Sequence, residues 1–567
     1  MNLPRLACFA VSAALGLSPA LYASQQKPVV VHSLGTTSLQ QARQRAATPQ
    51  YATSGRPQEM LKPMPKPHFA GVPHAASPFV KDTGQAVEFP VVGPDKWQRG
   101  FTGLTSDDSR EANVSGGTVE PPDQGLATNG SQVFETVNLA LRIDSASGKA
   151  ISEPISIASF FGVVFTNARL SDPRVFFDPQ SKRFFFTVLE YFFNPTTGAF
   201  TGSNDLLAVS QTSDAAGSYF IYAIDGCPAS NEACLADQPL IGVNDDGFYF
   251  SNNEFSSTGS FLEARIVALN KEALINNTPV TGVAYDVGTG TDFSIEPALP
   301  APGAVTTRNN GTEYFTESLD NGPPANGTSL RIFALTNTES LEHGAPATNL
   351  VTSDFPTESY SAPVPANQKA GPRPLGQQLG EPEEALDTGD DRMLQLYYAN
   401  NKLYTALNTE LMDPDAAFRR SGAAWFVIDP ETTHTTVTAH ILHQGYIGID
   451  NGSVMYPAFA ANDWGEGVIG FSFSGTNHYP STGYVHYYSN GTVEQKVRTA
   501  GAGQNPEDGF SGYMAFRAHG VARWGDYSSA LVSPDGHLWF AGEYIPNTIL
   551  YPRTQFTNWG TFISRVQ

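Results

Sequence analysis

Apolar and polar positions along this chain alternate with a period of two in short runs, each closed by a turn rich in Gly, Pro, Asn or Asp. Runs of that kind predict half-buried β-strands. The stretch "RWGDYSSALVSPDGHLWFAGEY", Arg523 to Tyr544, shows the pattern well. Tyr527, Ser529 and Leu531 alternate with Ser528, Ala530 and Val532, a Pro-Asp-Gly turn follows, and the chain re-emerges from Leu538 to Tyr544. Helical periodicity is scarce: Leu269 to Ile275 suffices for one or two turns.

The same pattern recurs at a distance. Asp526 of "GDYSSALVSPDGHLW" aligns with Asp172 of "SDPRVFFDPQSKRFF", Asp237 of "ADQPLIGVNDDGFYF" and Asp390 of "GDDRMLQLYYANNKLY". In each, the Asp begins an apolar run, a polar turn follows, and an aromatic or Leu returns thirteen positions on (Trp539, Phe185, Phe250, Leu403). "PPDQGLATNGSQVF" from Asp123 is a shortened version, a segment at Tyr456 fits with Tyr in place of Asp, and one at Glu296 fits least well. A single four-stranded unit cannot cover both of its faces, so such units stack around an axis and bury their faces against each other. The expected fold is therefore all-β: one β-propeller over residues 91–567, with seven blades, or six if the Glu296 unit does not count. A parallel β-helix would need a shorter, stricter period.

Ahead of that region the pattern dissolves. Residues 1–23 read as a secretory signal, with Arg5 at the positive end, a short apolar run from Leu6 to Leu17, and Ala20-Leu21-Tyr22-Ala23 as the cleavage site. Residues 24–90 are rich in Pro, Gln, Ala and Ser and read as an arm or linker, partly disordered. No later run is long and apolar enough to span a membrane. These features predict a monomeric, secreted or periplasmic protein.

Composition narrows the partners. The 33 basic and 55 acidic residues give a formal charge of −22, or −23 once Arg5 leaves with the signal. Such a surface disfavours nucleic acid and anionic membranes. Cys227 and Cys234 in "CPASNEAC" are expected to form a local disulfide in an exported chain.

"DPRVFFDP", "DQPLIGVNDDGFYFS", "GDDRMLQLYY" and "RWGDYSSALVSPDGHLWFAGEY" together resemble a group of uncharacterised, secreted, mostly bacterial β-propeller proteins, over Glu120 to the C-terminus. More distantly the pattern resembles the sialidase-like superfamily, whose blade hairpins carry the box S-x-D-x-G-x-x-W. "SPDGHLW" supplies Ser533, Asp535 and Trp539, with Gly536 one position early.

If the first strand of each unit is innermost, Asp123, Asp172, Asp237, Asp390 and Asp526 ring one channel mouth, with Arg174, Arg392 and Arg523 as partners at the same level. Trp524 joins them as a binding candidate. One reading makes these groups salt bridges and turn caps. The other makes them a ligand site, in which guanidinium groups take a carboxylate, Asp172 or Asp526 acts as a general acid, and Tyr527 or Glu543 supplies a further catalytic group. Glu190, Tyr191 and Tyr544 are additional polar candidates. Neither zinc, hydrolase-elbow nor phosphate-loop motifs occur. "NDDG" from Asn244 and "DNGS" from Asp450 read as turns rather than calcium loops, no cofactor is expected, and a structural calcium in the ring stays open. The function expected is recognition of a carbohydrate or other polymeric extracellular ligand at this mouth. A hydrolase or lyase for acidic sugars, and a non-catalytic scaffold or adhesion module, are the alternatives; whether the chain is an enzyme is left open.

Overall fold

The computed structural model describes residues 26–48, 58–60, 62, 64–66, 91–94 and 99–566, apart from 114–118, 166, 228–232, 288–291, 305–306, 320–326, 413–418, 517–519 and 548–555. Residues 1–23, read above as a secretory signal, lie outside these residues. Among the described residues no helix is long and apolar enough to cross a membrane.

Among the described residues the strands group into seven antiparallel meanders in chain order. We number only the first strand of each: β1 (Gly125–Thr128), β2 (Ala168–Asp178), β3 (Cys234–Val243), β4 (Glu296–Pro300), β5 (Met393–Ala399), β6 (Gly452–Ala461) and β7 (Ser529–Val532). Each first strand lies against the next, and β7 lies against β1, so the seven close a ring. Within that ring β4 and β5 pair directly as parallel strands, Ala298 opposite Leu396. This is a β-propeller. The Glu296 segment, the weakest match by pattern, starts four antiparallel strands that share one eight-stranded sheet with the next meander.

Aromatic pairs join successive meanders: Phe134 with Phe186, Phe185 with Phe248, Tyr249 with Phe315, Tyr314 with Tyr398, Tyr404 with Phe459, and Tyr484 with Phe540. Their ring centroids lie 5.2–6.2 Å apart, the separation at which edge and offset contacts add to simple burial. Of these rings, Phe185 is one that the repeat pattern placed on a returning strand.

The amino-terminal region is woven into the sheets. Val31–Ser38 adds a fifth strand to the second meander, Lys27–Pro28 to the third, and Val91–Pro94, in parallel, to the sixth. Arg99–Thr105 supplies the outer strand of the last meander beside Gly560–Val566, which ties the two ends of the chain together. These additions cover sheet edges that would otherwise offer unpaired N–H and C=O groups. The helix Leu39–Ala46, capped by the Ser38 hydroxyl, buries Leu39 and Ala42.

Candidate functional site

Each first strand, or the turn that leads into it, contains a residue in the left-handed backbone region: Asp123, Asp172, Gln238, Ser294, Gly389, Tyr456 and Asp526, with φ from 47° to 74°. Side chains other than Gly, Asn and Asp adopt that region at a cost. Its recurrence marks a shared bulge, and the β-ladder slips register at Ser171/Arg174, Asp237/Leu240 and Met455/Ala458. A bulge re-aims the residue that carries it. Here it gathers carboxylates from different meanders into one cluster.

Asp123, Asp172 and Asp237 are almost completely buried and Asp526 nearly so. Burial raises the titration range of all four, and mutual repulsion adds to it. Asp526 and Asp172 push on Asp123, which lies well above the usual carboxylate range. Burial and Asp237 lift Asp172 to about 7. Asp237 rises to about 6 although a hydrogen bond from the Met64 N–H and the charge of Arg392 oppose the shift. Asp526 rises to about 7 against the attraction of Arg523. Asp390 behaves differently: burial would raise it, but Arg392 overrides this and holds it low. Among the described residues, one carboxylate oxygen each of Asp123, Asp172, Asp237 and Glu296 has no hydrogen-bond partner.

The three arginines are placed unequally. Arg392 forks onto Asp390 through Nε (2.7 Å) and Nη2 (2.6 Å), and also donates to Gln238 Oε1 (2.5 Å). Arg523 is ion-paired with Asp526. Arg174 stacks 3.7 Å from the Tyr527 ring and reaches the Leu394 carbonyl at 3.4 Å, while its Nε and Nη2 have no hydrogen-bond partner among the described residues. A three-pronged clamp on a carboxylate therefore does not form, because two prongs are committed to aspartates. Glu296, whose opposing charge is Arg174, is still pushed up to about 8 by burial.

Several expected contributors lie behind the cluster. Trp524 is fully buried in the apolar core with Trp559 and Met455 and does not face a ligand. Tyr527 is fully buried and donates to the Pro173 carbonyl at 3.0 Å. The buried Glu543 accepts the Gly525 N–H at 2.7 Å, so it supports the turn before β7. Glu190 accepts from Asn204 at 2.9 Å, and Tyr544 meets Thr102 at 2.9 Å. "NDDG" is a turn, with the Asp246 and Gly247 N–H groups donating to Asn244 Oδ1. Among the described residues no group of three or more His, Cys, Asp or Glu is arranged to hold a metal ion. Cys227 and Cys234 form a disulfide.

Two features around this carboxylate cluster escaped the sequence reading. The first is a strap. Gln58–Glu59 pairs in parallel with Val119–Glu120, and the Met60 N–H donates to the Glu120 carbonyl at 2.8 Å. Beyond it, Arg523 Nη1 donates to the Met60 carbonyl (3.2 Å) and Lys62 Nζ to Asp387 (2.7 Å). The Met64 N–H donates to Asp237 (2.8 Å) and its carbonyl accepts from Arg392 Nη2 (2.8 Å). Lys66 reaches Asp391 (3.2 Å) and Ser318 (3.0 Å). The second feature is another acidic group beside the ring, comprising Glu120, Glu384, Glu507 and Asp508. Burial, with Glu507 and Glu120 nearby, pushes Glu384 up to about 11. Gly512 permits the approach, since a Cβ there would meet Glu384 Oε2 at 1.2 Å. Neither feature shows a sequence signal: the strap is a Pro-rich arm, and the acidic group comes from long connections outside the repeat.

No family model and no curated protein sequence matches this chain. Among solved structures, it is similar to a phage phi92 endosialidase at 9% identity and TM-score 0.35, covering 83% of this chain and 69% of that one. It is similar to a Trypanosoma rangeli sialidase mutant displaying trans-sialidase activity at 11% identity and TM-score 0.35, covering 78% of this chain and 59% of that one. A similar overlap, 10% identity and TM-score 0.35, is found with extracellular domains 1–2 of Drosophila Semaphorin 1b, covering 84% and 87%.

Proposed function

We propose that this protein is an exported propeller that recognises a polymeric ligand, carbohydrate or other, at the mouth ringed by Asp123, Asp172, Asp237, Asp390 and Asp526 with Arg174, Arg392 and Arg523. The observation that carries this reading is that the mouth holds a length of polymer already. Arg392, Arg523 and Asp237, from three different meanders, grip the backbone of Met60 and Met64. Charge-assisted hydrogen bonds of this kind are directional and strong, and a ring of them reads a chain laid across it.

Recognition is better supported than cleavage. A glycosidase of the usual type needs a pair of carboxyl groups addressing one bond. Here Asp526 is paired with Arg523, Asp390 with Arg392, and Glu543 supports a turn. Asp172 retains the high titration range of a general acid, but its proposed partners Tyr527 and Glu543 are fully buried.

Full-length protein displayed against arrays of oligosaccharides and of extended polypeptides tests this. Arg392→Lys keeps the charge while losing the two-pronged geometry, and is expected to reduce retention of the bound polymer tenfold or more. Retention that is indifferent to Arg392→Lys and to Asp237→Asn overturns the proposal, as does release of cleavage products from the array.

A further inference from the structure

Resting on the mouth as the recognition site, we propose that its ligand is an extended, lysine-bearing polypeptide of another protein, and that residues 58–66 are the internal segment such a ligand displaces. Among the described residues of the strap, the contacts fall on alternate positions. Met60, Lys62, Met64 and Lys66 each engage the mouth, through backbone carbonyl, ammonium, both backbone groups, and ammonium in turn. "KPMPK" favours extended backbone because each Pro restricts both itself and the residue before it.

The groups around the strap match a peptide unit. At Met64 a carboxylate takes the N–H while a guanidinium takes the C=O of the same residue. That paired complementarity answers one donor and one acceptor at fixed spacing, as every peptide residue other than Pro presents. The Met64 side chain enters a small apolar cluster with Leu189, Leu235, Phe255 and Phe293. On either side, Asp387 and Asp391 receive ammonium groups, and the strongly negative chain attracts basic segments over longer range. The buried carboxylate oxygens of Asp123, Asp172 and Asp237 that lack hydrogen-bond partners among the described residues are additional acceptors that the strap does not use.

An internal occupant lowers the apparent affinity for an external one by the fraction of time the mouth is open. Loosening the strap should therefore strengthen binding. The probe is a fluorescein-labelled peptide of sequence PQEMLKPMPKP, titrated by anisotropy with the full-length protein and with its Lys62→Glu/Lys66→Glu variant. The variant is expected to bind at least tenfold more tightly than wild type. A peptide with both lysines replaced by Glu should lose at least tenfold, and adding Arg392→Lys to the variant should abolish binding.

A full chain with a protease site inserted within residues 67–90, cut after folding, gives the same reading without altering Lys62 or Lys66, should that double variant fail to fold. If the loosened protein ignores the peptide but retains an oligosaccharide in an Arg392-dependent way, the peptide inference falls and the mouth remains the recognition site. If it binds neither, both fall. Dimerisation of the loosened variant by exchange of arms, seen by light scattering, also overturns the inference, because the occupant is then a second copy.

Discussion

Arg523 shows how a charge is tolerated inside this fold. It is buried, ion-paired with Asp526 and bonded to the Met60 carbonyl, so each partner satisfies the other where water does not. Removing one member of such a pair strands the other charge. Arg523→Ala is expected to destabilise the protein by about 3–5 kcal/mol, measured by urea unfolding. A loss below about 1 kcal/mol would mean that the pair is solvated. Lys62 carries the opposite expectation. Its side chain is 62% exposed where it meets Asp387, and an exposed pair contributes little to stability, about 0–1 kcal/mol. Lys62→Ala should leave the urea midpoint unchanged while weakening the grip on the strap.

The bulged approach to each first strand is the unit that repeats, and Gly525 shows its constraint. It adopts φ of 74°, and a Cβ there would lie 2.4 Å from the Tyr456 ring. Gly525→Ala therefore combines backbone strain with a clash against the neighbouring meander, and is expected to cost about 2–4 kcal/mol. A thermal midpoint within one or two degrees of wild type would show that the turn relaxes freely. Each residue ahead of the β7 hairpin has a distinct role. Arg523 and Asp526 form the ion pair at the mouth, Trp524 fills the core beneath, Gly525 makes the turn, and Tyr527 lies under Arg174. The spacing of the Asp residues made the recurrence of the unit legible in the sequence. The direction of Trp524 was not, because the left-handed residues around it decide which way each side chain turns.

As a body, the propeller depends on its closure and on its buried acids. Arg99–Thr105 completes the last meander, and its loss opens both a ring and a sheet edge. Deletion through Thr105 is expected to yield aggregated chain, whereas deletion through Ser24 should leave the thermal midpoint unchanged; size-exclusion chromatography and calorimetry separate these outcomes. The acids set the pH response. Asp172, Asp237 and Asp526 titrate near 7, 6 and 7 when folded, against about 4 for an unfolded Asp. The folded chain thus binds more protons than the unfolded chain between about pH 4 and 7, so stability falls as pH rises through that window. Urea midpoints from pH 4.5 to 7.5 should decline steadily, and the decline should shrink in Asp172→Asn/Asp526→Asn. A rising midpoint would mean that the cluster is ionised and compensated at acid pH.

Strand propensity, the recurring Asp and the pairing of Cys227 with Cys234 follow from local residue order, since alternation, turn chemistry and a short loop act within a few positions. Which groups meet does not. Lys62 and Asp387, Lys66 and Asp391, and Met64 and Arg392 stand more than three hundred residues apart. Only closing the ring sets them side by side, and burial then decides their charge. Arg174 and Arg392 each follow an aligned Asp by two residues in the sequence, yet one stacks on a tyrosine and the other forks onto an aspartate. The left-handed residue falls at Asp172 in one unit and at Gly389, ahead of the Asp, in the other, so positions alike in sequence are set differently in the fold.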